Sequence, residues 1–190
     1  ITMKMFKRFA AALLVGVMAL AMLTACGGGG APKSLGQQAE ELMMQAMNLA
    51  MQADGKENLQ NDPTMKNVIY EALGHVDENG KIDAKYLPQG ENLENALKTG
   101  KTGTITVYEI TDKDGSAEVI TQESVNEMRE MVEQLKQQLS KQDDDEQANK
   151  SEVTDVKKFA VATRVVNGKT YIGMGSELVL TAKASNSVAE

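Results

Sequence analysis

The dipeptide Asn167-Gly168 is the sequence feature that most restricts how this chain can fold. It lies between two runs rich in β-branched residues, 156–166 and 169–180. Asn and Gly tolerate the positive φ angles that a two-residue type I′ turn requires, so the pattern predicts a β-hairpin. A turn of this length also fixes the register, because the residues on either side of it must lie opposite each other.

This register places four small residues on one face of the predicted hairpin. Ala162 lies opposite Gly173, and Ala160 lies opposite Gly175, so that the four form a shallow furrow. We expect a helix to pack closely into this furrow. A groove for a ligand or a partner is the alternative.

The spacing of apolar residues predicts four helices, because leucines, alanines and methionines recur three or four positions apart. In the first helix, Leu35, Leu42 and Leu49 belong to one such stripe. Asp62 followed by Pro63 is a typical helix start, since Asp can cap the helix and Pro fits its first turn. The predicted helices cover about 34–53, 63–73, 91–98 and 121–139.

A second strand pair is predicted before the last helix. Residues 104–110 favour a strand, residues 112–115 favour a tight turn, and residues 117–120 are predicted to form the returning strand. The order of elements indicates an α+β fold. We expect N-terminal helices and one later helix to pack on one face of a mostly antiparallel four-stranded sheet made of two hairpins.

The first 25 residues differ from the rest of the chain. They contain Lys4, Lys7 and Arg8 but no acidic residue, and positions 9–23 are apolar or Gly. A basic start, an apolar run and a zone of small residues are the three parts of a secretory signal peptide. The apolar run is shorter than the roughly 20 residues of a transmembrane helix.

The apolar run ends in Leu23, Thr24, Ala25 and Cys26, and Cys26 is the sole Cys of the chain. This tetrapeptide resembles the lipobox of bacterial lipoproteins. The resemblance implies that the Cys26 thiol carries a diacylglyceryl group and that the chain is cut between Ala25 and Cys26. It does not extend to the domain that follows. Residues 27–30 are all Gly, and glycine-rich segments form flexible tethers.

Loss of the signal peptide makes the protein more acidic. The whole chain has a net charge of −7, whereas the part after Ala25 holds 17 basic and 27 acidic residues and has a net charge of −10. We expect a lipidated Cys and tether at 26–33, a single acidic α+β domain at 34–184 and a flexible tail at 185–190. This charge argues against nucleic acid as a partner. The expected partners are the membrane, through the anchor, and a protein or peptide.

Few residues are available for catalysis. The chain has one His, His75, and its one Cys is expected to carry lipid. No Ser lies in a Gly-x-Ser-x-Gly motif. Residues 77–88 lack the Gly and Glu positions of an EF-hand calcium loop, so we interpret them as turns. We therefore expect no catalytic residue, metal or cofactor.

The methionines allow three interpretations. Met44, Met47 and Met51 share one face of the first predicted helix, and Met128 and Met131 form a second pair. Thioethers are soft ligands suited to Cu(I). Methionine side chains also fill gaps in cores and form pliable binding surfaces. Copper binding, core packing and a partner surface therefore remain alternatives.

Together these features predict a lipid-anchored bacterial protein on the extracytoplasmic face of the cell membrane. Its domain is expected to be a non-enzymatic interaction or ligand-binding module. One alternative function is a small envelope hydrolase with a site assembled around His75. The other is a methionine-based copper carrier.

Overall fold

The computed structural model describes residues 33–139 and 153–181. The predicted signal peptide, Cys26, the glycine tether, an acidic loop and the tail lie outside the described residues. The predicted α+β fold with an antiparallel four-stranded sheet is confirmed. Its helices are α1 (Leu35–Ala53), α2 (Pro63–Leu73), α3 (Leu93–Lys98) and α4 (Gln122–Leu139), and its strands are β1 (Gly103–Glu109), β2 (Glu118–Ile120), β3 (Val153–Val166) and β4 (Lys169–Leu180).

β4 is the central strand of the sheet, and β3 forms a hairpin with it. Asn167 and Gly168 form its turn with φ angles of 51° and 76°, in the left-handed region that this turn requires. The two strands pair in the predicted register, with Ala162 opposite Gly173. Because β3 occupies one edge of β4 along its length, the other edge is open to further strands.

That second edge of β4 holds two short strands that lie in line with each other. β1 pairs with residues 174–180 and β2 with residues 170–172, both antiparallel to β4. The predicted turn at 112–115 does form, and Thr111 bridges Ala117, but β2 does not return along β1. A return along β1 would leave backbone groups of residues 170–172 without partners. β1 and β2 therefore form an interrupted edge strand along β4 instead of the predicted hairpin.

Helices α1 and α4 cover one face of the sheet. The Ser34 side chain accepts the Gln37 backbone N–H and the Gln37 side chain accepts the Ser34 N–H, so a capping box begins α1. Leu42 of α1 and Val132 of α4 belong to one buried cluster with Val161 and Ile172 of the sheet. The predicted apolar stripes of both helices thus pack on the sheet.

Helix α2 covers the opposite face, so the prediction that all helices lie on one face is wrong. Its buried residues Met65 and Ile69 lie directly over the small residues of β4. A β-carbon on residue 173 would stand 2.7 Å from Ile69 Cγ2, closer than atoms can approach. The absence of a side chain at this position is what allows α2 to reach the sheet.

We expect Gly173→Ala to lower the free energy of unfolding by about 1–3 kcal/mol, because the new methyl group overpacks a filled site. Urea denaturation of the purified protein measures the change. Gly175→Ala is the companion variant and should also destabilise the protein, because its β-carbon would meet Met65 Sδ at 2.8 Å and the Tyr108 ring at 3.0 Å. Unchanged stability of Gly173→Ala would contradict the close approach of α2.

The outer edge of β3 is closed by side chains. The Asn61 side-chain amide donates to the Val161 carbonyl at 2.9 Å and accepts from the Val161 N–H at 3.1 Å. Further along the edge, the Glu40 carboxylate accepts the Thr163 N–H at 2.8 Å. Unpaired edge groups invite pairing between molecules, so these contacts protect the edge.

Replacing Asn61 by Ala should destabilise the protein by about 1–3 kcal/mol, because two backbone groups of Val161 lose their partners. Urea denaturation gives the free energy, and size-exclusion chromatography reports any association through the exposed edge. Asn67→Ala, on the exposed side of α2, is the control and should not lower stability. Equal stabilities of the two variants would show that Asn61 does not hold the edge.

Candidate functional site

The furrow predicted as a candidate groove is closed. Ala160 and Ala162 are fully buried, and Gly173 and Gly175 are buried with them under α2. The groove alternative is therefore wrong, and the furrow is the packing surface for a helix. A functional cleft has to be sought elsewhere.

A cleft opens on the α1 and α4 side, where the edge strand is interrupted. Glu109 ends β1 and Glu118 begins β2, and their partners on β4 are Met174 and Ile172. Directly paired residues of antiparallel strands project to the same face, so both glutamates lie on this side. The residues lining the cleft are Met43, Glu109, Glu118, Met128, Ile172, Gly173 and Met174.

The cleft is small and mostly apolar. Its cavity volume is about 20 Å³, enough for one water molecule, a small ion or the tip of a side chain. Three methionines contribute to its wall, and methionine side chains adapt their shape easily. The arrangement offers carboxylate acceptors within a pliable apolar wall. It can receive a small hydrogen-bond donor.

The two carboxyl groups bind their protons more tightly than usual. Burial raises the pKa of Glu118 to about 7, and the negative charges of Asp112 and Glu109 add to this rise. Burial also raises the pKa of Glu109, although much of that residue is exposed, because protein atoms crowd around its carboxylate. Neighbouring acids disfavour double ionisation. Of the two carboxyl groups, Glu118 therefore holds its proton up to about neutral pH.

His75 has an exposed aromatic setting. It lies just after α2, and its ring stacks on Tyr86 with 3.7 Å between centroids. The Lys85 ammonium lies 4.8 Å from the centre of the Tyr86 ring. In the described part of the chain, no hydrogen bond joins His75 to a Ser or Asp side chain. This arrangement gives no support to a hydrolytic site around His75.

The methionine face proposed for copper lies in the core. Met51 is 6% exposed and packs in a buried cluster with Val107 and Leu178. Met44 and Met47 pack against the cluster between α1, α4 and the sheet. This placement favours the core-packing interpretation for these residues. Met43 and Met128 differ, because they line the cleft.

The acidic turn at Asp77 has a structural role. Its carboxylate accepts the N–H groups of Asn79 at 2.8 Å and Lys81 at 2.9 Å, and these bonds lower its pKa. The carboxylate thus stabilises the predicted turn. Across residues 33–139 and 153–181, no group of three or more His, Cys, Asp or Glu side chains is arranged to hold a metal ion.

Glu109 and Glu118 are not among the site residues predicted from the sequence, although strand alternation marks both. Ile105 and Val107 are buried, and Glu109 takes the next position on the same face of β1. Glu118 stands in the same relation to the buried Ile120. Acidic residues are rare on inward faces, so this pattern was a usable signal. The sequence does not predict that the two glutamates lie close together, because this depends on the pairing of β2 with β4.

Comparison with known proteins adds no assignment. No protein-family model, curated protein or solved structure matches the chain significantly.

Glu118→Gln should change how stability depends on pH. A carboxyl group with a raised pKa in the fold stabilises the fold below its unfolded pKa of about 4.5 and loses that contribution as the pH rises to about 7. Relative to the variant, the free energy of unfolding of the wild type should fall by about 1–3 kcal/mol as the pH rises from about 4.5 to about 7. Above this interval the difference between the two proteins should stay constant. Urea denaturation at a series of pH values measures the difference.

The exposed Glu130 of α4 supplies the control for this measurement. Glu130→Gln should shift stability by a small amount that does not vary across pH 5–7. If the Glu118→Gln and wild-type curves run parallel, the Glu118 carboxyl is not perturbed by the fold.

Proposed function

We propose that this protein is a lipid-anchored protein of the bacterial cell envelope and that its domain binds a ligand or partner without catalysing a reaction. The observation that carries the proposal is the lipobox-like sequence at 23–26, which ends in the sole Cys directly after an apolar run. The start of α1 agrees with it, since Ser34 caps this helix eight residues after Cys26. None of the described helices is long and apolar enough to span a membrane.

The chemistry of the cleft supports recognition more than catalysis. The cleft is small, about 20 Å³, and the residues that line it beside Glu109 and Glu118 are three methionines, Ile172 and Gly173, none of which is a nucleophile. Its methionine wall suits an adaptable contact with a small group. The stacking of His75 on Tyr86 and the burial of Met51 leave the hydrolase and copper alternatives without a specific supporting observation.

The acidity of the chain supports a basic ligand or partner. After removal of residues 1–25 the net charge is −10. A field of this sign attracts cations and speeds their association. A peptide or protein with lysine or arginine side chains fits this charge better than a nucleic acid does.

Cys26→Ala tests the anchor. The variant should lose membrane association, because the only thiol that can carry the diacylglyceryl group is gone. Fractionation of cells shows the location, and mass spectrometry shows whether a lipid mass is present on the wild-type protein and absent from the variant.

Gly28→Ala is the matched control, because it changes the tether without touching the Cys. It should remain membrane-bound and lipidated. A Cys26→Ala protein that stays in the membrane with the same modification would overturn the proposed anchor.

A further inference from the structure

The break in the edge strand brings two acidic side chains together on one face of the sheet. Glu109 pairs with Met174 and Glu118 with Ile172, so only Gly173 separates the two pairing positions. Two residues of a strand span about 7 Å, a distance that two glutamate side chains can bridge. The chain between these glutamates, residues 110–117, leaves the sheet and returns to it.

We propose that Glu109 and Glu118 share one proton across this break and that loss of the proton to solvent loosens residues 110–117 from the sheet. This inference goes beyond the proposed function and does not depend on the lipid anchor. It rests on the cleft that both glutamates line, on their neighbouring pairing positions along β4 and on the way the intervening segment is held.

The groups that face the pair make a shared proton favourable. α1 contributes Met43 to the cleft, α4 contributes Met128, and β4 contributes Ile172, Gly173 and Met174, none of which can titrate. The third carboxyl group is Asp112, whose charge acts on Glu118. The raised pKa values of both glutamates agree with these apolar and acidic surroundings.

Two cations in the neighbouring segments, Lys81 and Arg129, donate hydrogen bonds to other groups. The Lys81 ammonium, on the segment packed against residues 110–117, donates to the Asp114 carbonyl at 3.3 Å. The Arg129 guanidinium on α4 donates to Gln38 and Asn126, both at 3.2 Å. A second negative charge in the cleft is therefore opposed by desolvation and by the carboxylates already there.

Residues 110–117 are held on the sheet by buried side chains and backbone hydrogen bonds. Repulsion between ionised Glu118 and Asp112 would act against these contacts. Ile110 and Ala117 are buried against α2 and the small face of the sheet. The Ala117 N–H donates to Gly80 at 2.8 Å, and the Ile82 N–H donates to the Gly115 carbonyl at 3.0 Å. Asp112 lies within this segment, so its repulsion from an ionised Glu118 acts on the segment as a whole.

Nuclear magnetic resonance tests both parts of the proposal on the purified protein. Titration of the side-chain carboxyl carbons should show Glu118 losing its proton well above the ordinary range, and Glu109→Gln should lower the apparent pKa of Glu118 because the partner charge is removed. Amide exchange, corrected for its intrinsic pH dependence, should show that the Ala117 and Ile82 amides lose about tenfold or more protection between pH 5.5 and 8.

Glu118→Gln should abolish that loss, whereas Glu130→Gln should retain it. The Val161 amide, held by Asn61 at the other edge of the sheet, is the internal control and should keep its protection in every variant. Equal loss of protection in the wild type and in Glu118→Gln would overturn the switch. An ordinary pKa for Glu118, or one that Glu109→Gln leaves unchanged, would overturn the shared proton. Either result leaves the lipid anchor untouched.

Discussion

The close contact of helix α2 with the small face of the β3–β4 hairpin is the constraint on which the rest of this structure depends. Gly173 and Gly175 let Ile69 and Met65 reach the sheet, at distances that a β-carbon would not allow. The sheet is thereby covered on both faces, by α2 on one and by α1 and α4 on the other. With the small face sealed, the cleft lies at the interrupted edge on the opposite face, where Met174 and Ile172 of the sheet face Met43 and Met128 of the helices.

The elements that the sequence predicts well are those that local interactions decide. The Asn167-Gly168 turn fixes its own geometry and register, and Asp62 caps α2 through its side chain, which accepts the Met65 N–H. The pairing of β2 is different, because three residues can satisfy their backbone along β1 or along β4 equally well on local grounds. Only the unfilled edge of β4 decides between them. Glu109 and Glu118 lie close together only because β2 pairs with β4. Strand alternation could therefore predict that each residue faces inward but not that the two are neighbours.

The two edges of the sheet are protected by different physical means. At β3, Asn61 satisfies the backbone groups directly, and Glu40 both accepts the Thr163 N–H and pairs with Lys66. At the other edge the strand is interrupted, and Glu109 and Glu118 place acidic groups beside the break. Charged side chains at an edge discourage pairing between molecules. This second protection depends on ionisation, whereas the hydrogen bonds of Asn61 do not.

The length of the tether between the proposed lipid anchor and the domain decides whether the membrane surface can influence the proposed proton switch. Anionic lipids concentrate protons at a membrane surface, and a surface potential of about −30 mV corresponds to a local pH roughly half a unit lower. This effect fades over about 8 Å at physiological salt. The eight residues from Cys26 to Ser34 can extend to about 27 Å, so the tether allows the domain to stand outside that layer. Repulsion between a domain of charge −10 and an anionic surface favours the extended arrangement. Glu109 and Glu118 would then respond to the pH of the surrounding medium rather than to the membrane surface.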